Sequence, residues 1–141
     1  MDYTPAPNIE TTLQGLTLTA IKAAQGDDEV LLETKEGRLF RLYHEQDCCE
    51  SVRVLNMGSI QTVLGVPLAS VKEEIVEWRD GGPRPAAWPQ DVPKPDESGT
   101  VTIFTFTTSY GGSLVIRWLG ESNGYYSESV SFAETTRGLS R

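Results

Sequence analysis

The stretch TVTIFTFTTSYGGSLVIRWLG, residues 100–120, has the composition of two β-strands joined by a tight turn. β-Branched and aromatic residues dominate both halves, and such residues are enriched in strands. Gly111 and Gly112 stand between the halves, and a glycine pair is a common connection between antiparallel strands. The sequence therefore predicts a β-hairpin that belongs to an antiparallel sheet.

Further strands are predicted on both sides of this hairpin. Residues 28–44 contain two apolar runs joined by Lys35, Glu36 and Gly37, which indicates a second hairpin. Residues 59–65 suggest a short helical turn that stops at Gly65. Single strands are predicted at 16–20, 50–57, 68–78 and 123–134. The predicted fold class is α+β, mostly antiparallel β-sheet with one short helix.

The chain of 141 residues predicts a single domain spanning 1–141, long enough to bury a core without metals or disulfides. Residues 1–11 lack a periodic pattern and are predicted to form a loose N-terminal arm. Residues 79–99 are rich in proline and glycine, which predicts a long loop or insert, and residues 134–141 are predicted to form a tail.

Charge and hydropathy exclude several classes of function. The net charge is −8, from 20 acidic and 12 basic residues, so a nucleic-acid polymer is not an expected partner. No apolar run has the length of a membrane span, and the N-terminus lacks the features of a signal peptide. We therefore expect a cytoplasmic protein that is not bound to a membrane.

The stretch YHEQDCCESV, residues 43–52, contains the only histidine and both cysteines. A zinc site normally takes four ligands with cysteines two to four residues apart, so Cys48 and Cys49 fit poorly. Adjacent Cα atoms lie about 3.8 Å apart, below the ~4.4 Å usual in disulfides. We predict a structural segment in which Gln46 and the acids bind backbone and one thiol is buried. A metal site, or an enzyme in which His44 activates a thiol, remains the alternative.

Aromatic residues crowd the C-terminal third of the chain. Aromatic rings stack on nucleobases and arginine binds phosphate through two hydrogen bonds, although most of these rings are expected to lie in a sheet core. If residues 123–134 form a strand, one of Tyr125 and Tyr126 faces away from the core. The aromatic residues are Phe104, Phe106, Tyr110, Trp118, Tyr125, Tyr126 and Phe132, with Arg117 and Asn123 among them.

The blocks QDCCESV (46–52) and RWLGESNGYYSESV (117–130) resemble a family of small bacteriophage proteins. The resemblance spans roughly residues 16–133 and includes VLGVP (63–67) and IFTFTT (103–108). In size and motif layout the chain is similar to the phage anti-Thoeris signal sponges. It departs from the usual pattern in the insert at 79–99 and the tail at 134–141.

This resemblance implies a protein without catalysis, cofactor or metal. Such a sponge sequesters cyclic ADP-ribose isomers, and in some relatives cyclic oligonucleotides, in pockets at a subunit interface of a homo-oligomer inside the infected bacterium. The aromatic would stack on adenine, a polar group would bind ribose, and cations would bind pyrophosphate. The expected ligand-binding residues are Phe104, Phe106, Arg117, Asn123, Tyr125 and Tyr126, with Arg79, Arg84 or Arg137 completing the site from a neighbouring chain.

A second interpretation is an acidic interaction protein that blocks a host protein. It predicts partner binding that depends strongly on salt and no pocket with converging arginine and aromatic side chains.

Overall fold

The computed structural model describes residues 7–136, which form two antiparallel β-sheets with very little helix. The elements are helix α1 (Ile9–Leu13), a 3-10 turn (Ile60–Thr62) and strands β1 (Leu18–Lys22), β2 (Glu29–Thr34), β3 (Leu39–Tyr43), β4 (Ser51–Met57), β5 (Leu68–Trp78), β6 (Ser98–Thr108), β7 (Ser113–Ser122) and β8 (Ser131–Thr135). The prediction of a mostly antiparallel β fold with one short helix is confirmed. The α+β label fits only loosely, because α1 has five residues.

The first sheet has the strand order β1-β2-β3-β8 and the second has the order β4-β7-β6-β5. The predicted β6–β7 hairpin lies inside the second sheet, with Phe104 opposite Ile116. Its turn needs both glycines: Gly111 has a φ of +89°, and a Cβ on Gly112 would lie 2.5 Å from the Thr62 carbonyl oxygen. All strand pairs within the described residues are antiparallel.

The main hydrophobic core lies between the two sheets. Phe40 and Leu42 of β3 come from the first sheet, while Phe104, Ile116 and Trp118 come from the second. All five side chains are buried. Because each sheet contributes one apolar face to a shared core, the fold is a two-layer arrangement of sheets.

A second apolar cluster lies on the outer face of the second sheet. Trp78 and Val101 from β5 and β6 pack there against Trp88 and Val92 from the proline-rich segment. The Trp88 indole N–H donates to the Val92 carbonyl at 2.8 Å, which holds the segment in a compact turn. The predicted loop at 79–99 is therefore a covering layer, and its last residues, from Ser98, belong to β6.

The described parts of the predicted arm and tail contain regular structure, while residues 1–6 and 137–141 lie outside the described residues. Helix α1 begins inside the predicted loose arm, where the Asn8 side chain accepts the backbone N–H of Glu10 at 2.8 Å and Ile9 is buried. At the other end Glu134 and Thr135, assigned to a tail, are the last residues of β8 and pair with β3.

The predicted strand at 123–134 is wrong in its first part. Residues 123–130 form no strand, and β8 begins only at Ser131. Gly124 adopts a φ of +92°, outside the range of a strand, and the Glu128 carboxylate binds Thr100, Arg79 and Ser122, which fixes the path of this segment. No helix in the described part of the chain is long and apolar enough to cross a membrane.

Candidate functional site

The two sequence blocks that carry the resemblance meet in the structure at His44. The ring Nδ1 lies 2.7 Å from the carbonyl oxygen of Ser129, and Nε2 lies 2.7 Å from a carboxylate oxygen of Glu50. A backbone carbonyl can only accept a hydrogen bond, so Nδ1 donates to Ser129, while Nε2 faces the Glu50 carboxylate. The segment after β3 is thereby attached to the segment before β8.

Glu50 organises the block QDCCESV from inside. Its side chain is fully buried and accepts the backbone N–H groups of Asp47 and Cys48, each at 2.8 Å. Burial favours the neutral acid and would raise the pKa of Glu50. The hydrogen bonds from His44 and from the two amides outweigh burial and lower the pKa to about 2. The carboxylate is therefore the charged centre of a tight turn.

Gln46 bonds the backbone as predicted, since its side-chain amide donates to the carbonyls of Cys48 and Glu50. The expectation of one buried thiol is wrong: Cys48 and Cys49 are both exposed, and their sulfur atoms are bonded to each other. The spacing argument assumed an extended chain, whereas residues 47–50 turn around the Glu50 carboxylate.

Metal binding and thiol catalysis find no geometric support here. Neither sulfur is free, and the His44 ring nitrogens face Ser129 and Glu50 instead of a sulfur. Across residues 7–136 no group of three or more histidine, cysteine or acidic side chains is placed to hold a metal ion.

Glu128 organises the second block in the same way. Its buried carboxylate accepts a hydrogen bond from the Thr100 hydroxyl at 2.6 Å, from the Arg79 guanidinium at 3.0 Å and from the Ser122 hydroxyl. Burial raises the pKa of Glu128, and these hydrogen bonds, the Ser122 bond foremost, lower it further than burial raises it. A Cβ on Gly120 would lie 2.8 Å from Glu128, so only glycine lets this segment approach β7.

A groove of about 260 Å³ lies between strands β5 and β6 and the segment that contains Glu128. Arg79 and Tyr126 both line it, together with the hydroxyl groups of Ser127 and Ser129. The Arg79 guanidinium is half exposed and also binds Glu77, which lines the groove too, at 2.7 Å. The groove thus combines a cation, an aromatic ring and hydroxyls, but its cation already has carboxylate partners.

Tyr125 and Asn123 belong to the same segment as Tyr126 but do not themselves line the groove. The Tyr125 ring is 84% exposed and packs edge-on against Tyr126, with 5.1 Å between ring centroids. The Asn123 side-chain oxygen accepts the backbone N–H of Tyr125 at 2.9 Å, which fixes the turn that presents both tyrosines. The structure therefore brings together Arg79, Asn123, Tyr125 and Tyr126 from the predicted set.

The aromatic residues Phe104 and Phe106 lie elsewhere. They are 1% and 0% exposed inside the core between the sheets, so neither ring face is available to stack on a base. The alternation in the sequence places Phe104 and Phe106 on one face of β6, but it does not show that this face packs against the other sheet.

The remaining arginines do not reach the groove. Arg117 binds Asp91 through both terminal nitrogens and Asn56 through Nε, on the strand face that the proline-rich segment covers. Hydrogen bonding to Asp91 raises the pKa of Arg117, and the same bond lowers the pKa of Asp91. Arg84 donates to the Trp88 carbonyl at 2.7 Å, and Arg137 lies outside the described residues.

Sequence reasoning missed the two buried carboxylates. A signal for them exists, because Glu50 and Glu128 each begin the tripeptide Glu-Ser-Val, once in each block. Both are buried among hydrogen-bond donors where the alternating pattern would place an apolar side chain.

One comparison with known proteins gives a match. A family model described as a domain of unknown function (DUF7448) matches residues 11–132. Neither the curated proteins nor the solved structures contain a match to this chain.

Proposed function

We propose that this chain, which belongs to the DUF7448 family, is a non-catalytic phage counter-defence protein that sequesters a cyclic nucleotide-type immune signal in the host cytoplasm. The ligand is a cyclic ADP-ribose isomer or a cyclic oligonucleotide. One observation supports the proposal most directly: Arg79 and Tyr126 line the same groove. Tyr126 belongs to the second sequence block, residues 117–130, in which the chain resembles the phage sponges.

The chemistry of the groove matches the parts of such a ligand. Tyr125 and Tyr126 offer ring faces and edges for adenine, and aromatic contacts of this kind tolerate any base. The hydroxyls of Ser127 and Ser129 offer donors and acceptors for ribose. Arg79 is the cation for the pyrophosphate, and a bound phosphate replaces Glu77 as the partner of its outer nitrogen.

The size of the groove indicates that one chain does not complete the site. Its volume of about 260 Å³ lies below the ~300–1,000 Å³ common for small-molecule sites. The open side exposes Tyr125, which a second copy of the chain could cover. The proposal therefore includes a homo-oligomer, a dimer or larger, with ligand enclosed between chains.

The proposal is tested by native mass spectrometry with a mixture of cyclic ADP-ribose isomers and cyclic oligonucleotides. We expect an oligomer that takes up ligand in whole-number ratios and releases it chemically unchanged on heating. Absence of uptake would overturn the sponge function, and release of a cleaved ligand would overturn its non-catalytic character.

A pair of matched variants locates the site. Arg79→Ala is expected to reduce ligand uptake at least tenfold. Arg38→Ala serves as the control, because Arg38 is a similarly exposed arginine whose carboxylate partner, Glu134, lies at the far end of β8. Equal losses in both variants would remove the groove from the proposal.

A second candidate is an interaction protein that blocks a host protein through its acidic surface. One specific feature favours it, the open and acidic edge of strand β5. This function predicts salt-sensitive binding of a protein partner without any small-molecule uptake.

A further inference from the structure

Strand β5 lies at the edge of the second sheet, and among residues 7–136 part of its backbone has no neighbour. It pairs with β6 along its whole length, from Leu68 to Trp78. An edge strand exposes a row of N–H and C=O groups that can pair with another extended chain. The question is which of these groups are open.

The pairing pattern identifies them. In an antiparallel pair, alternate residues direct both backbone groups toward the partner strand and the others direct them away. The backbone N–H of Glu73 donates to the Glu10 side chain at 3.1 Å. The backbone groups of Glu73 therefore point away from β6. The register between β5 and β6 is unbroken from Ser70 to Trp78. The backbone N–H and C=O groups of Ile75 and Glu77 therefore also point away from β6.

No hydrogen bond within residues 7–136 reaches the outward backbone groups of Ile75 and Glu77. The N-terminal end of the same edge is closed, because Leu68 exchanges backbone hydrogen bonds with Gly15 and Leu16. At the outer edge of β4, across the sheet, Val54 exchanges backbone hydrogen bonds with the turn at Gly26 and Asp27. The opening at Ile75–Glu77 is thus a local feature.

The side chains at the opening are one apolar group between two acids. Ile75 is 57% exposed, and Glu73 and Glu77 precede and follow it on the same strand face. Glu73 forms no salt bridge among residues 7–136, and burial and the nearby charge of Glu10 raise its pKa. Carboxylates outnumber cations along this edge, with Glu10, Glu73, Glu74 and Glu77 against Lys72 and Arg79.

We propose that this opening docks an extended basic segment of a partner protein, which adds a strand to the second sheet beside β5. The backbone of the partner pairs with Ile75 and Glu77. An apolar side chain of the partner lies opposite Ile75, and basic side chains lie opposite Glu73 and Glu77.

A second copy of the chain does not suit this edge. Antiparallel self-pairing centred on Ile75 would set Glu73 of each copy opposite Glu77 of the other. Like charges directly opposite each other destabilise a strand pair. The same acids that repel a second copy attract a basic strand, and this complementarity selects the partner's chemistry.

The probe for the test is a short capped peptide in which lysine, isoleucine and lysine alternate with threonine. We expect it to bind in low salt and to slow hydrogen exchange at the amides of Ile75 and Glu77. The same peptide methylated on the backbone nitrogens that face β5 should bind at least tenfold more weakly. If both peptides bind equally, or these two amides exchange at an unchanged rate, strand addition is overturned.

Charge exchange provides the second arm of the test. The double variant Glu73→Lys, Glu77→Lys should no longer bind the lysine peptide and should bind a matched peptide in which glutamate replaces lysine. Asp28→Lys, Glu36→Lys is the control with the same change in net charge, since Asp28 is exposed between β1 and β2 and Glu36 is exposed in the β2–β3 turn. If the control variant loses lysine-peptide binding to the same extent, the loss is due to overall charge, and the docking site beside β5 is overturned. Because Glu77 also lines the ligand groove, nucleotide uptake is measured on the unsubstituted protein, so that each proposal can fail without the other.

Discussion

Glu50 provides the clearest prediction at the scale of single residues. The lowered pKa, about 2 against an ordinary 4.5, means that the ionised carboxylate stabilises the folded protein. This stabilisation is complete above the ordinary pKa and disappears as pH falls from about 5 toward 2. We expect Glu50→Gln to lower the melting temperature at neutral pH and to lower it less at acid pH, since the wild type loses the same contribution there.

Thermal unfolding followed by circular dichroism between neutral pH and pH 2 measures this difference. Glu36→Gln is the control, because Glu36 is exposed in the β2–β3 turn. Parallel melting curves of wild type and Glu50→Gln across the whole pH range would contradict the role assigned to the carboxylate.

Glu77 yields a prediction about ligand affinity. Its carboxylate binds the Arg79 guanidinium at 2.7 Å and lines the same groove, so it competes with a bound phosphate for that cation. We expect Glu77→Gln to tighten the binding of a cyclic ADP-ribose isomer about three- to tenfold, equivalent to about 1 kcal/mol. Calorimetric titration measures the change, and weaker binding in this variant would show that Glu77 contacts the ligand directly.

The limits of sequence reasoning are visible in these same residues. The sequence contains the residue types that a nucleotide ligand needs, but it does not show which acidic side chain binds each arginine. Arg117 is bound by Asp91, which is 26 residues away in sequence, and only the packing of the proline-rich segment brings the two together. The burial of Glu128 likewise depends on a long-range donor, Thr100, whereas the donors to Glu50 lie within six residues of it.

At the scale of elements, the strands predicted with local signals are present. The β6–β7 hairpin follows from β-branched runs around two glycines, and β5 extends over the predicted residues 68–78. The prediction of a strand at 123–130 is wrong because it rested on serines alternating with larger side chains from residue 126 onward, a pattern that a strand and this loop share. Its conformation is set instead by Glu128, whose partners lie on β6, on β7 and just beyond the end of β5.

The proline-rich segment carries the element-scale prediction. Trp88 is buried against Trp78, with 5.5 Å between ring centroids, and it anchors the segment over the second sheet. Trp88→Ala should destabilise the protein by about 3–5 kcal/mol, the cost of deleting a buried aromatic side chain. It should also make residues 79–97 the first site of limited proteolysis.

Urea unfolding and mass analysis of the proteolytic fragments check these effects. Tyr110→Ala is the control, because its ring is 88% exposed and its loss should change stability by no more than about 0.5 kcal/mol. A proline-rich segment that resists proteases in Trp88→Ala would show that other contacts hold it.

At the scale of the whole molecule, charge and the open groove bear on assembly together. A net charge of −8 opposes the close approach of two chains, and self-pairing through β5 is opposed by its own acids. An oligomer that encloses ligand therefore has to use another surface, and the exposed Tyr125 beside the groove is the apolar candidate. A bound ligand whose phosphates contact cations of both chains would hold such an interface closed.

This coupling predicts that ligand binding and oligomer formation depend on each other. Because one groove holds only about 260 Å³, a dissociated chain should bind a cyclic ADP-ribose isomer at least tenfold more weakly than the oligomer does. Dilution across the dissociation range, monitored by mass photometry with and without ligand, should show ligand shifting the equilibrium toward the oligomer. Tyr125→Ala should weaken this shift while leaving the fold intact, since the exposed ring contributes little to the stability of one chain. If ligand binds the dissociated chain with unchanged affinity, the groove is complete in one chain, and the interface has no part in holding the ligand.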